Sequence, residues 1–552
     1  MADTSNEIKA KVAARVEEEK KLLEQSGKTT EEIAKELPDS FIQECLDCSR
    51  VGDAILYSTL FRGKYLFHKR WGRWLTWAGH HWKEDLLDTY EARIEDICKL
   101  YLKVADELQK WADDEDDPNE QRKKQKAADK VYSRVNALRL PKGRDELLRT
   151  VHKGIDAPLA IVGDELDQHP YKLACPNGVI DLRTGDMHPG NPFDFLLNAC
   201  PTRWKGLDEP CPDFEAFLTS SMDGDESMVR YLQRLLGYGL IPDRRDHVFI
   251  IFWGAKGRNG KDTLVKTIRN VLGKALCGSV PIEMYLATNQ IRNSSAPSAD
   301  IMALRGMRIS FCNEAEDGQK FAMGKLKELT GGNIITARGV NDKMMSEWKQ
   351  TNLPIMSTNE IPRAKSDDDA FWYRVQIVPW TIRFVDDPQE TFERLAEKDL
   401  EKKLEKESSG ILAWLVRGAL EYLKQGLNPP EKVKAVTKDR RDQYDDVGRF
   451  LAECCEVEDV PEGLDPRARE SAAELLEAFN LWFRRNVDGS YSYSQRRLGE
   501  VLGKKGFKKI KSNGNTVYLG IFINDDFRCE VAEHRKKLAE KADKKGGSSG
   551  AN

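Results

Sequence analysis

No stretch of this sequence stays apolar for the roughly 18 residues that a membrane-crossing helix requires, so no membrane partner is expected. Neither charge sign dominates. The 87 Lys and Arg residues face 91 Asp and Glu, and a net charge of −4 neither demands nor excludes nucleic acid. The 11 cysteines lack the dense, regular spacing of a disulfide scaffold, and the opening residues MADTSNEIKAKVAARVEEEKK lack the apolar core of a secretory signal. A reducing cytoplasm is the expected location. Cys45 and Cys48 have the spacing of a zinc-ligand pair, but no second CxxC or CxxH completes a tetrahedral set.

What is present divides into pieces, because 552 residues are too many for one hydrophobic core. Residues 1–40 are charged, helix-favouring and poor in aromatics, a peripheral helix or linker. Residues 41–210 form the next unit. It opens with Trp71, Trp74, Trp77 and Trp82 in an alternating stretch that reads as a hairpin; these rings either pack a core or stack on bases. The polar run DDEDDPNEQRKKQK (113–126) is expected to be a loop or a solvated helix connection, and CPNGVIDLRTGDMHP (175–189) a compact β element with turns at Asn177-Gly178 and Thr184-Gly185.

Residues 211–400 form the next unit, two leading helices and then, from Val248 to about Trp380, apolar strands alternating with helical patterns, as in an α/β nucleotide-binding core. Within it, FWGAKGRNGKDTLVKTI places Gly254, Gly257, Asn259, Gly260 and Lys261 between a strand and a helix, the context of a phosphate-binding loop. Asp262 stands where such loops carry the hydroxyl that binds magnesium, and Thr263 follows it. An ATPase also needs acids at the end of a second strand, and MRISFCNEAEDG supplies Glu314 and Glu316. A third strand, NLPIMSTNEIP, ends at Asn359, where an amide could touch the γ-phosphate or the attacking water. Arg374, after the acidic turn in DDDAFWYRVQIVPW, could reach a neighbouring subunit's ATP.

These segments, with KLKELTGGNIITAR, resemble the helicase domain of the phage and plasmid primase-helicase family, within the superfamily-three AAA+ helicases. Upstream, WGRWLTWAGHHWKED and NGVIDLRTGDMHP resemble the domain that precedes the helicase in poxvirus-type and phage members, and the likeness runs from Gly52 to Trp380. It implies that Lys261 binds phosphate, that Glu314 and Glu316 form the magnesium and water site, that Asn359 is the sensor and that Arg374 is the finger. It further implies a homo-oligomeric ring, commonly a hexamer, that draws single-stranded DNA through its pore from 3′ to 5′. TARGVNDKMMSEWK would then be the pore hairpin, with Arg338 and Lys343 against the DNA backbone. ATP and Mg2+, the latter held by Asp262, Thr263 and Glu314, are the implied cofactors, and the host cell's cytoplasm the implied compartment. Two positions depart from the family pattern: Tyr373 replaces the first of two arginines, and Asp262 adds a negative charge near phosphate. The first 50 residues are too short for a catalytic primase domain, so primer synthesis is not expected and a separate primase or polymerase is a candidate partner.

Residues 401–443 read as a helical connector and residues 444–525 as helix, helix and hairpin, the order of a winged-helix domain. Its second helix carries Arg496 and Arg497 and its hairpin Lys508, Lys509 and Lys511, which suits origin duplex DNA or, alternatively, a protein contact with the basic face merely solvated. Residues 526–552 are expected to be a disordered tail. The whole reads as a multidomain α/β protein: an AAA+ P-loop ATPase core, an α+β N-terminal domain and a C-terminal winged helix, acting as a replicative helicase of a phage, plasmid or other mobile element. An ATP-switched origin-binding or loading protein and a primase-polymerase remain as alternatives.

Overall fold

The computed structural model describes residues 28–153, 159–288, 298–314, 318–339, 345–458, 469–487, 492–512 and 514–546. A capping box starts the first helix, α1 (Thr30–Glu36): Thr29 Oγ1 accepts the Glu32 amide and the Glu32 carboxylate accepts the Thr29 amide. Ile33 on this helix is buried, so the expected peripheral segment joins a core from residue 30 onward. Helices α2 (Asp39–Asp47) and α3 (Ser49–Phe61) follow, then antiparallel strands β1 (Tyr65–His68), β2 (Arg73–Trp77) and β3 (Trp82–Glu84). The tryptophans are packed rather than presented: Trp74 and Trp82 are buried, the Trp82 indole donates to Pro192 O at 2.8 Å, and Trp71 stacks on His68.

The long helices α4 (Ile94–Asp113) and α5 (Pro118–Arg139) lie side by side, with α6 (Pro141–Lys153) beyond them. The polar run 113–126, expected as a loop or a solvated helix connection, takes the second form: a short turn and then the start of α5. Asp117 caps α5 by accepting the Asn119 amide, and Pro118 supplies a preset first-turn backbone. Strand β4 (Ala160–Ile161) adds parallel to β1 and closes the sheet β3-β2-β1-β4.

The meander β5 (Lys172–Cys175), β6 (Gly178–Asp181) and β7 (Met187–His188) has the expected shape but an unexpected home. Its Leu173, Ile180 and Leu182 belong to the hydrophobic core of the central sheet, not to the N-terminal core built from residues 33–159. The unit read as 41–210 is therefore divided by packing. Arg308, fully enclosed, ties the meander down by donating to Lys172 O and Leu240 O, each at 2.6 Å; burial lowers its pKa to about 10.

Helices α7 (Pro212–Ser221) and α8 (Glu226–Gly239) lead into the central unit. Its elements run β8 (Phe249–Trp253), α9 (Lys261–Leu272), β9 (Cys277–Ser279), β10 (Ile309–Asn313), α10 (Met323–Thr330), β11 (Ile334–Ala337), β12 (Ser346–Lys349), β13 (Leu353–Thr358), α11 (Asp369–Trp372) and β14 (Val375–Pro379). Five strands pair in parallel in the order β14-β8-β13-β10-β9. Strands FIIFW and LPIMST are buried along nearly their whole length, as parallel strands covered on both faces must be. Because β8 has the last strand on one side and β13 on the other, a crevice opens at its C-terminal end, where open α/β sheets bind ligands.

After the short parallel pair β15 (Arg383–Val385) and β16 (Glu393–Leu395) come α12 (Leu400–Lys406), α13 (Ser408–Gln425) and α14 (Glu431–Gln443). The segment expected as a connector is instead part of the central core. Ile411, Leu412, Leu415 and Val416 are buried there, and α13 crosses α8 so closely that a Cβ on Gly418 would sit 2.0 Å from Gln233 O.

The C-terminal unit consists of α15 (Asp446–Cys454), β17 (Cys455–Val457), β18 (Arg469–Ser471), α16 (Ala472–Asn486), α17 (Gln495–Lys504), β19 (Lys509–Ser512), β20 (Asn515–Leu519), β21 (Ile521–Ile523) and α18 (Asp525–Gly546). Helix, helix and hairpin stand in the expected order, with β18 added as a third strand beside β20. The tail read as disordered begins as a helix, because Phe527 and Val531, one turn apart, fill this unit's core.

Candidate functional site

Between β8 and α9 the chain makes a loop whose shape depends on three positions. Gly260 caps α9 in the left-handed region at φ +87°, and a Cβ there would meet the Phe217 ring at 2.9 Å. Arg258 is left-handed too, at φ +61°. Asn259 is buried, and its amide donates to Trp380 O at 3.2 Å and Ile382 O at 3.1 Å, pinning the loop to the chain beyond β14. Asn259, expected among the phosphate ligands, is a strut inside the loop. Gly254 lies against the same chain, whereas nothing stands within 4 Å of a Cβ built on Gly257.

Lys261 opens α9 and is buried. Its ammonium donates to Asn359 Oδ1 at 2.9 Å and Asn259 Oδ1 at 3.0 Å, so amide oxygens rather than carboxylates satisfy it directly. Burial lowers its pKa, and the charges of Asp262 and Glu314 work against that shift. Asp262 is exposed on the first turn of α9, a position that favours negative charge, whether a carboxylate or a bound anion.

Two neighbouring strands bring the remaining groups. Asn359 follows β13, and its carbonyl accepts the Trp253 indole N–H at 3.1 Å, which joins the ends of β8 and β13. Glu314 follows β10 with φ +24°, a backbone that costs a non-glycine residue about 1–3 kcal/mol, and its amide donates to Ser357 O at 3.0 Å. Asp262, Thr263, Glu314, Thr358 and Asn359 line one cleft of 620 Å³ with the loop and Lys261. This combination of inward-facing loop, helix start and buried ammonium has the chemistry of a phosphate cradle.

Arg374 lies elsewhere. Its carbonyl accepts the amide of Phe249, the first residue of β8, and its guanidinium donates to Ala370 O at 2.5 Å. It thus sits at the opposite end of the sheet, roughly 13 Å of strand from the loop, and does not enter its own chain's cleft. Tyr373 beside it is 84% exposed. Strands β11 and β12 pair antiparallel as a hairpin, with half-buried Arg338 after β11; Lys343 and Glu316 lie outside the described residues.

In the C-terminal unit the expected DNA-binding cations separate into two sets. Arg496, Lys508, Lys509 and Lys511 face solvent. Arg497 does not: it pairs with Asp367 of the central unit at 3.1 Å. Lys504 joins the same carboxylate at 3.1 Å, and Lys505 pairs with Asp445. Sequence reasoning missed Asp367, although the acidic run Asp367-Asp368-Asp369 marks it. It also missed Arg440, whose guanidinium lies 4.8 Å from the Trp253 ring centre, a contact across 187 residues that no local pattern announces. Among the described residues there is no cluster of three metal-ligating side chains of the His, Cys, Asp or Glu type, and no helix long and apolar enough to cross a membrane.

Residues 54–222 match the family described as "D5 N terminal like", a region that runs from within α3 through the rest of the N-terminal unit, the meander and α7. Across 338 residues the chain is 26% identical to L207/L206 of Acanthamoeba polyphaga mimivirus, provisionally named a helicase; the match covers 59% of this chain and 34% of that one. Protein 121R of invertebrate iridescent virus 3, also provisionally named a helicase, is 27% identical over 249 residues, covering 44% and 26%. C962R of African swine fever virus, provisionally named a primase, is 21% identical over 360 residues, covering 58% and 34%. The chain thus spans about a third of the length of the curated relatives it matches. A solved apo structure of the NrS-1 C-terminal region aligns with a TM-score of 0.36 and 14% identity, covering 58% of this chain and 79% of that one. These relationships are consistent with the primase-helicase family.

Proposed function

We propose that this chain is an ATP-driven replicative DNA helicase of a virus, phage or other mobile element, with a superfamily-three AAA+ core working as a ring, commonly hexameric, on single-stranded DNA. One observation carries the reading: Lys261 bridges Asn259 and Asn359 beside Glu314 at the C-terminal end of the sheet, while Arg374 waits at the other end. A complete hydrolytic site then needs a second copy, whose Arg374 faces this cleft. The names carried by the viral relatives support the same reading.

When a nucleoside triphosphate enters, the Lys261 ammonium exchanges amide oxygens for β- and γ-phosphate oxygens, and the loop amides with the start of α9 hold the rest. Asn359, released from Lys261, positions the γ-phosphate or the attacking water. Glu314 polarises that water, which attacks the γ-phosphorus and releases ADP and phosphate. Two exposed carboxylates and a hydroxyl, Asp262, Glu314 and Thr263, fit magnesium, which commonly takes one or two carboxylates and completes its shell with phosphate and water. Bound there, the ion would neutralise phosphate charge. Arg338 and Lys343 of the β11–β12 hairpin would contact the strand in the pore, and the C-terminal unit, as a winged helix, would engage origin duplex.

The test is ATP hydrolysis by the full chain with and without single-stranded DNA, beside Lys261→Ala. Stimulated hydrolysis that the substitution abolishes supports the helicase. Nucleotide binding without turnover, restored by Asp262→Ser, favours the ATP-switched binding protein that the exposed Asp262 suggests. Nucleotide incorporation on a single-stranded template would instead indicate primase-polymerase chemistry.

A further inference from the structure

We propose that duplex DNA competes with an acidic loop of the chain's own central unit for the basic face of α17, so that the C-terminal unit stays closed until a duplex draws it away. This rests on the duplex-binding reading of that unit. The clasp is built on Asp367, whose side chain is 15% exposed and accepts from both Arg497 and Lys504; Lys505 is held within the C-terminal unit itself, by the α15 cap residue Asp445. Burial pushes the Asp367 carboxyl up, but hydrogen bonds from Lys504 and Arg497 outweigh it and hold it below the ordinary carboxylate range. A carboxylate that accepts from two cations plays the part a phosphate would, and a phosphodiester can take its place between them.

The junction is made to part. The apolar cores of the central and C-terminal units share no buried member, and a cleft of 750 Å³ lies between them, lined by charged groups such as Arg363, Lys365 and Arg449 as well as aromatic rings. Partly exposed ion pairs across such a gap are screened by salt and exchange readily. The exposed cations Lys508, Lys509 and Lys511 on the hairpin give DNA a first foothold while the clasp is shut. Opening would also reach the hydrolytic machinery. Asp368 caps α11 by accepting the Phe371 amide at 3.1 Å and holds Lys327 at 3.0 Å, Asp369 pairs with Arg441, and Arg374 comes just after Tyr373, the residue that ends α11.

The experiment measures binding of a short fluorescein-labelled duplex to the full chain by anisotropy. Asp367→Asn and Asp367→Ser should each bind the duplex roughly threefold to tenfold more tightly than wild type, with a larger maximum dimension in small-angle scattering. Lys508→Ala with Lys509→Ala and Lys511→Ala should weaken binding. Should one of these acid variants fail to melt cooperatively, the other carries the measurement. If acid variants bind no tighter while the hairpin variant still loses affinity, the clasp is wrong and duplex binding stands. If wild type and acid variants alike bind no duplex, the duplex reading fails and the clasp with it.

Discussion

The loop cleft and the junction around Asp367 both concentrate charge, yet they treat it in opposite ways. In the cleft a single buried ammonium is held by two side-chain amides, one of which, Asn259, is itself fixed to backbone carbonyls, so the partners have defined places. At the junction two partly exposed cations, Arg497 and Lys504, share the Asp367 carboxylate across a gap, and each could find another anion. The first arrangement preorganises chemistry, where single groups matter greatly; the second suits exchange, where single groups matter little.

Arg374 offers the sharpest way to break this comparison, since it belongs to the cleft's chemistry only through a neighbouring copy. Arg374→Ala is expected to lower DNA-stimulated ATP hydrolysis about 10³-fold. Mixing it with Lys261→Ala, each inactive alone, should recover activity at sites assembled from one intact half of each. No recovery at any ratio would return Arg374 to a structural role at the start of β14. Lys261→Ala by itself should cost roughly 10²–10³-fold in turnover, and a loss under tenfold would show that the loop amides alone hold the phosphates.

The junction side should behave differently. Removing Lys508, Lys509 and Lys511 together is expected to lower the dependence of log affinity on log salt by about 3 units for duplex DNA, near 0.9 for each lost phosphate contact. Removing Arg496 alone, paired with Glu500 at 3.0 Å on an exposed helix face, should change it by less than about 1 unit. A single cation whose loss abolished binding would erase the distinction between the two regions.

What the sequence made legible follows the same division. Gly254 to Thr263, Glu314 and Asn359 could be read because each depends on local order: apolar strand, turn residues, polar end. The five-stranded sheet then brings these ends together. Arg497 could not be read as docked, because its partner Asp367 lies 130 residues away and nothing in QRRLGEVLGK distinguishes a face turned to DNA from one turned to carboxylate. Residues 401–443 looked like a connector for a related reason. ILAWLVRGAL is apolar nearly all round, which marks a buried helix, but only the Gly237 and Gly418 close approach shows that α8 buries it. Asn259 misled in the other direction, since a polar residue in a glycine-rich loop suggests a ligand while its amide serves the backbone.

Asp446 provides the smallest test and the one most specific to the junction. Its carboxyl borders the cleft between the units, and burial raises its pKa to about 6, with Asp445 adding to the shift and Arg363 and Arg449 opposing it. A folded-state pKa above the unfolded value means that the fold favours the protonated acid. The stability it lends is full below about pH 3.8 and is lost as pH rises through about 6. Asn cannot ionise, so Asp446→Asn should melt roughly 2 °C higher than wild type at pH 7.5 and at nearly the same temperature at pH 4.5. A variant that melts lower at pH 7.5 would mean that ionised Asp446 is a productive partner for Arg363 or Arg449. The junction would then hold its charges as firmly as the loop cleft holds Lys261, and the contrast between the two regions would have to be given up.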